Sequence, residues 1–107
     1  MVLVSDIYYT PEAYGLTVVG EIERGGGYDF DTLVLWKDAT GSLVWATDSG
    51  CSCPQPFGEV DLSNVERGSL AEFQDYAERW IAMADWLSDE QLNGHRGELV
   101  DILGRLV

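Results

Sequence analysis

The spacing of apolar residues changes once along this chain. From Leu16 to Asp48 it has the short period of strands. In "LTVVGEIER", Leu16, Val18, Gly20 and Ile22 alternate with Thr17, Val19, Glu21 and Glu23, which predicts a strand with two distinct faces. Gly25, Gly26 and Gly27 interrupt it. "YDFDTLVLW", Tyr28 to Trp36, is β-branched and aromatic and predicts a second strand. "KDATG" reads as a turn, with Asp38 placed to close an Asx turn and Gly41 to take a positive φ. "SLVWATD", Ser42 to Asp48, predicts a third strand. Three strands with short glycine-rich connections make an antiparallel meander over residues 16–48.

Past Gly68 the period lengthens to that of helices. Ser69-Leu70-Ala71-Glu72 is a capping box, and Leu70, Phe73, Ala77, Trp80, Ile81 and Ala84 then recur on one helical face. Tyr76, Met83 and Trp86 widen that stripe. A second box, Ser88 to Gln91, opens a helix with Leu92, His95, Leu99, Ile102, Leu103 and Leu106 on one side. Gly94, Gly97 and Gly104 weaken it by about 1 kcal/mol each relative to alanine. Such a helix needs packing, so residues 69–107 are expected as a helical hairpin. The predicted fold class is α+β: a three-stranded antiparallel β-meander followed by two C-terminal helices packed on one face, all in a single domain, residues 1–107. Residues 1–15 form an N-terminal arm, and residues 49–68 a Cys/Pro loop and link. The face away from the helices is expected to carry Val19, Leu33, Leu35 and Trp45. Either the arm covers it or a second subunit does, which makes a homodimer an expectation.

Composition narrows the function. Hydrophobic residues are 46% of the chain, enough for a packed core. Nineteen acids face six bases, a formal charge of −13. The excess is spread along the chain: nine acids and two bases before residue 61, ten and four after it. Such a surface repels phosphate backbones and anionic lipids and permits a basic protein partner. No nucleic-acid or membrane binding is expected. "MVLVSDIYYT" lacks the basic start of a secretory leader, so the expected location is cytoplasmic.

The chemistry-bearing stretch is "ATDSGCSCPQPFGEV", Ala46 to Val60, which holds both cysteines. Cys51 and Cys53 are spaced C-x-C, not the C-x-x-C of thiol oxidoreductases, and Pro54 and Pro56 oppose a helix there. Zinc prefers four ligands. Cys51, Cys53 and His95 are the only cysteines and histidine, so a carboxylate such as Asp48 would be needed to complete a set. A mechanical loop role is expected, with Phe57 plugged into the core, and no cofactor. His95 is expected as a partly buried structural residue. No nucleophile elbow or oxyanion loop is present, and the paired acids are no more than this acidity gives by chance. The chain is therefore expected not to be an enzyme. Its candidate interaction residues are Cys51, Cys53, Pro54 and Phe57 in the loop, Tyr8, Tyr9 and Tyr14 in the arm, and Trp86.

Tyr28, Asp29 and Phe30, then Trp36, Trp45 and Ala46, then "DSGCSCPQPF" from Asp48 to Phe57, together form a signature. It resembles that of small acidic proteins of actinobacterial phages, mycobacteriophages in particular. The resemblance covers residues 8–60 and transfers no catalytic residue. It implies a phage product working in the host cytoplasm. The function expected is a non-enzymatic protein that binds and modulates a host protein. Two alternatives are a DNA-mimic decoy of a nucleic-acid-binding protein and a metal-binding protein using the C-x-C loop.

Overall fold

The structure, a computed structural model, describes residues 8–25, 29–51 and 65–106. A 3-10 turn, Pro11–Tyr14, leads through Gly15 into strand β1, Leu16–Glu23. Strands β2 (Asp29–Asp38), β3 (Leu43–Cys51) and β4 (Glu66–Gly68) follow, then helices α1 (Leu70–Ala82) and α2 (Asp89–Gly104). The four strands pair antiparallel in the order β1-β2-β3-β4.

The α+β class stands, but among the described residues the sheet has four strands, not three. The added strand lies in what sequence presents as a link. "ERG" has no alternation to announce it, and it becomes a strand only by pairing Gly68 with Leu43, Arg67 with Val44 and Glu66 with Trp45. β3 also runs three residues beyond Asp48, because Asp29, Phe30 and Asp31 offer it partners in Cys51, Gly50 and Ser49. The β2–β3 turn forms as its chemistry dictates. Asp38 accepts from the backbone N–H groups of Thr40 and Ser42, both at 2.9 Å, and Gly41 has φ +89°.

The face assignment reverses. Leu33, Leu35 and Trp45 pack under the helices with Ile22, whereas Val34, Trp36, Val44 and Ala46 form a second core on the other side with Leu16. A β-bulge also splits β1 between the two faces: Val18 pairs with Trp36 and Gly20 with Leu35, leaving Val19 unopposed. Strict alternation would put Leu16 and Ile22 on one face. The extra residue sends them to opposite faces, one into each core. The bulge is held from the helix side, where Arg105 Nη1 donates to the Val19 carbonyl at 2.9 Å. Gly20 is required there, since a Cβ on it would lie 2.7 Å from Ile102 Cγ1.

Both capping boxes form, Ser69 with Glu72 and Ser88 with Gln91. Phe73, Ala77, Trp80 and Ile81 of α1, and Leu99 and Ile102 of α2, fill the helix-side core. Trp45 meets Phe73 edge-on with ring centroids 5.4 Å apart. The second core is buried within one copy of the chain, with Tyr8 and Val65 packed against it. Buried on both sides, β2 reads as an unbroken apolar run, Leu33 to Trp36.

These contacts set the signs of two glycine substitutions. Gly20→Ala drives a methyl into Ile102 and is expected to cost about 1–3 kcal/mol. Gly94→Ala, on α2 with open space around it, is expected to stabilise by up to about 1 kcal/mol. Urea unfolding followed by tryptophan fluorescence measures both.

Candidate functional site

One end of the sheet carries the densest side-chain chemistry among the described residues, and Arg24 organises it. Arg24 follows β1, and its backbone N–H bonds the carbonyl of Asp31 at 2.9 Å. Its Nε donates to the Asp31 carboxylate at 2.6 Å, and its Nη1 donates to the Trp80 carbonyl. The guanidinium carbon lies 4.0 Å from the centre of the Trp80 ring and 5.1 Å from that of Trp86. The Trp86 indole N–H returns a bond to the Arg24 carbonyl at 3.3 Å. The ion pair is largely buried, with side-chain exposures of 11% and 15%.

This arrangement explains where α1 ends. In a continuing helix the Trp80 carbonyl would accept from Ala84. Arg24 takes that carbonyl, and the Ala84 N–H turns to Ile81 at 3.2 Å. A cation at a helix C-terminus is also favoured by the macrodipole. Met83 and Trp86, which sequence places on the helical stripe, consequently sit in the connection between the helices. Both are exposed, at 73% and 56%.

Beside Arg24 opens a cleft of about 550 Å³ between the end of β3 and helix α1, bordered by Asp31, Thr47 to Ser49, Tyr76, Arg79, Trp80 and Met83. Several of its polar groups are engaged. Thr47 Oγ1 and the Tyr76 hydroxyl share a hydrogen bond at 3.2 Å, and Arg79 donates to Asp75 one turn back. Glu23 stiffens the hairpin end, accepting from the Gly25 and Asp31 N–H groups at 2.8 and 2.7 Å and from Thr32 Oγ1 at 2.6 Å.

The structure separates the residues singled out from sequence. Trp86 is exposed at this end of the sheet. Tyr9 and Tyr14 are exposed on the arm. Tyr8 is partly buried against the second core, its ring edge-on to Tyr9 at 4.9 Å. Burial, and then the Glu21 carboxylate that accepts its hydroxyl at 3.1 Å, push the Tyr8 phenol up to about 12. Asp48 pairs across the sheet with Thr32 and borders the cleft, while His95 on α2 bonds Glu98 at 2.9 Å. Among the described residues no group of three or more His, Cys, Asp or Glu gathers as a metal site. Cys51 ends β3; its side chain, with Cys53, Pro54 and Phe57, lies outside the described residues. Arg24 and Met83 are the site residues that sequence reading missed. One available signal for Arg24 was its place as the first base in the chain, directly before three glycines.

Removing either partner of the Arg24–Asp31 pair leaves the other charge buried. Arg24→Gln is expected to cost about 3 kcal/mol, and Arg24→Lys, which keeps charge but loses the planar fork, about half of that. Chemical denaturation gives the values. For Tyr8, the folded phenol titrates above its ordinary value of 10.0. Its contribution to stability is therefore complete below about pH 10 and is lost as pH rises through 12. Absorbance titration of wild type against Tyr8→Phe is expected to show a phenolate step near pH 12 that the variant lacks.

Among the described residues, no helix is long and apolar enough to cross a membrane. No curated protein and no solved structure matches the chain. A family does match, over residues 5–100, which is most of its length. On that match, the chain belongs to the family described as Domain of unknown function (DUF7574).

Proposed function

We propose that the chain is a non-enzymatic binding module that engages a protein partner through the Met83–Trp86 surface at the end of the sheet. In the setting implied by the cysteine-loop resemblance, it is a phage product acting on a protein of its bacterial host. The observation that carries this reading is the fixed exposure of Trp86. An aromatic side chain is normally buried when it can be, yet this one keeps 56% of its surface in solvent while its ring and indole N–H are held by Arg24. A preorganised tryptophan supplies contact area at little entropic cost, the property of an interface anchor. The neighbouring cleft adds concavity. Within it Arg24 bonds Asp31 and Thr47 bonds Tyr76, which favours a contact surface over a reacting centre.

The test is capture from host lysate by wild type, Trp86→Ala, Met83→Ser and a control, Val100→Ser, which alters an exposed apolar residue on α2. Trp86→Ala is expected to lower capture of the specific partner about tenfold or more. Met83→Ser should lower it less, and Val100→Ser not at all. Melting curves confirm that each variant is folded. Equal capture by all four proteins would sink the reading.

A further inference from the structure

The charge around Trp86 points to the chemistry of what docks there, an inference that rests on the binding-module reading above. From Trp80 to His95 the sequence has three acids, Asp85, Asp89 and Glu90, and no arginine or lysine. All three acids are exposed, as are Met83 and Trp86. Arg24 is paired within the chain with Asp31 and Arg79 with Asp75, while Arg96, six residues past Glu90 on α2, donates to Asn93. The segment that carries the exposed Trp86 is therefore acidic, with Asp85 next to it in sequence and Asp89 and Glu90 three and four residues on. Asp89 and Glu90 form the first turn of α2, so these two acids are fixed by the helix that carries them.

We infer that this surface docks a basic protein segment, with an arginine side chain stacked on Trp86 and its neighbouring bases facing Asp85, Asp89 and Glu90. Tryptophan is the best aromatic partner for a guanidinium. The corner already binds one that way, since Arg24 lies over both Trp80 and Trp86. Charge also selects against the other occupants. A second copy would bring another −13 charge to the contact, and an anionic lipid surface is repelled for the same reason.

The probe is a fluorescent 12-residue peptide bearing three arginines, compared with the same peptide carrying citrulline, which keeps the shape and removes the charge. Binding is read by anisotropy. Two double variants lose equal charge: Asp89→Asn with Glu90→Gln in the Trp86 segment, and Glu12→Gln with Asp101→Asn away from it. Glu12 precedes β1, whose opposite end leads to Arg24. Asp101 lies about 18 Å along α2 from Asp89. The arginine peptide is expected to bind wild type and the control pair alike. It should bind the Asp89 and Glu90 pair about fivefold or more weakly, and Trp86→Ala more weakly still, while the citrulline peptide does not bind. Equal weakening by both pairs shows diffuse attraction and overturns the proposal. So does equal binding of the citrulline peptide, or no binding of either. If the peptide arm fails while Trp86→Ala still abolishes lysate capture, the surface stands and its partner is not basic. If both fail, the binding-module reading falls with it.

Discussion

The guanidinium of Arg24 is the point at which strand layer and helix layer are fastened together. A single side chain neutralises Asp31, terminates α1 by taking the Trp80 carbonyl, and lies over two indoles. None of these contacts is strong alone, and an ion pair half-taken from water can cost as much as it returns. Their value is in combination. The planar fork satisfies a carboxylate and a carbonyl at once while its faces remain free for stacking. The consequence is positional. Once the Trp80 carbonyl is taken, α1 stops, the chain turns at Met83, and Trp86 arrives against Arg24 rather than in the core. The exposed surface and the buried clamp are thus two sides of one arrangement.

The second constraint is geometric. A sheet covered on both faces must supply two sets of apolar residues, and β1 has too few to do so by alternation. The bulge at Val19 solves this by shifting phase midway, so that Leu16 serves one core and Ile22 the other. The shift frees a carbonyl, which Arg105 takes, and it demands a residue without a side chain beneath Ile102, which Gly20 supplies. Bulge, glycine and α2 are therefore interdependent: α2 can approach closely only over Gly20, and the bulge is held only if α2 is there. Such coupling accounts for how a helix with three glycines persists, its stability coming from packing rather than propensity.

How much the sequence reveals depends on how local each cause is. Both capping boxes, the Asp38 turn and the apolar stripe of α1 were legible because the interacting residues are three or four apart. The bulge was not, because a phase shift leaves the same letters in the same order; Leu16 to Ile22 reads as clean alternation whether or not Val19 is inserted. β4 was not legible either, since Glu66, Arg67 and Gly68 become a strand only in the presence of β3. At the site, sequence names Trp86 as an interaction candidate, whereas the reason for its exposure lies 62 residues away in Arg24. Long-range partners of this kind leave no spacing rule to read.

Locality governs the acidity as well. A chain that mimics nucleic acid needs carboxylates arrayed outward. Here many are turned to internal use: Glu21 to Tyr8, Glu23 to the hairpin end, Asp31 to Arg24, Asp38 to its turn, Glu72 to a cap, Asp75 to Arg79 and Glu98 to His95. In Asp38 the Thr40 hydroxyl, and then the backbone of the turn, hold the carboxyl below its usual range, so its charge is part of the turn's structure. A carboxylate that caps a backbone group still contributes to the long-range field, but its direction is set by the fold and not by a partner. The negative charge thus has two components: a dispersed one that arises from how the chain closes its turns and helix ends, and a local one, at Asp85, Asp89 and Glu90, close in sequence to the one fixed and exposed tryptophan. The first is tied to backbone groups and side chains of the chain itself. The second is exposed in the segment that carries Trp86, and on the proposed reading it is what a basic partner would meet.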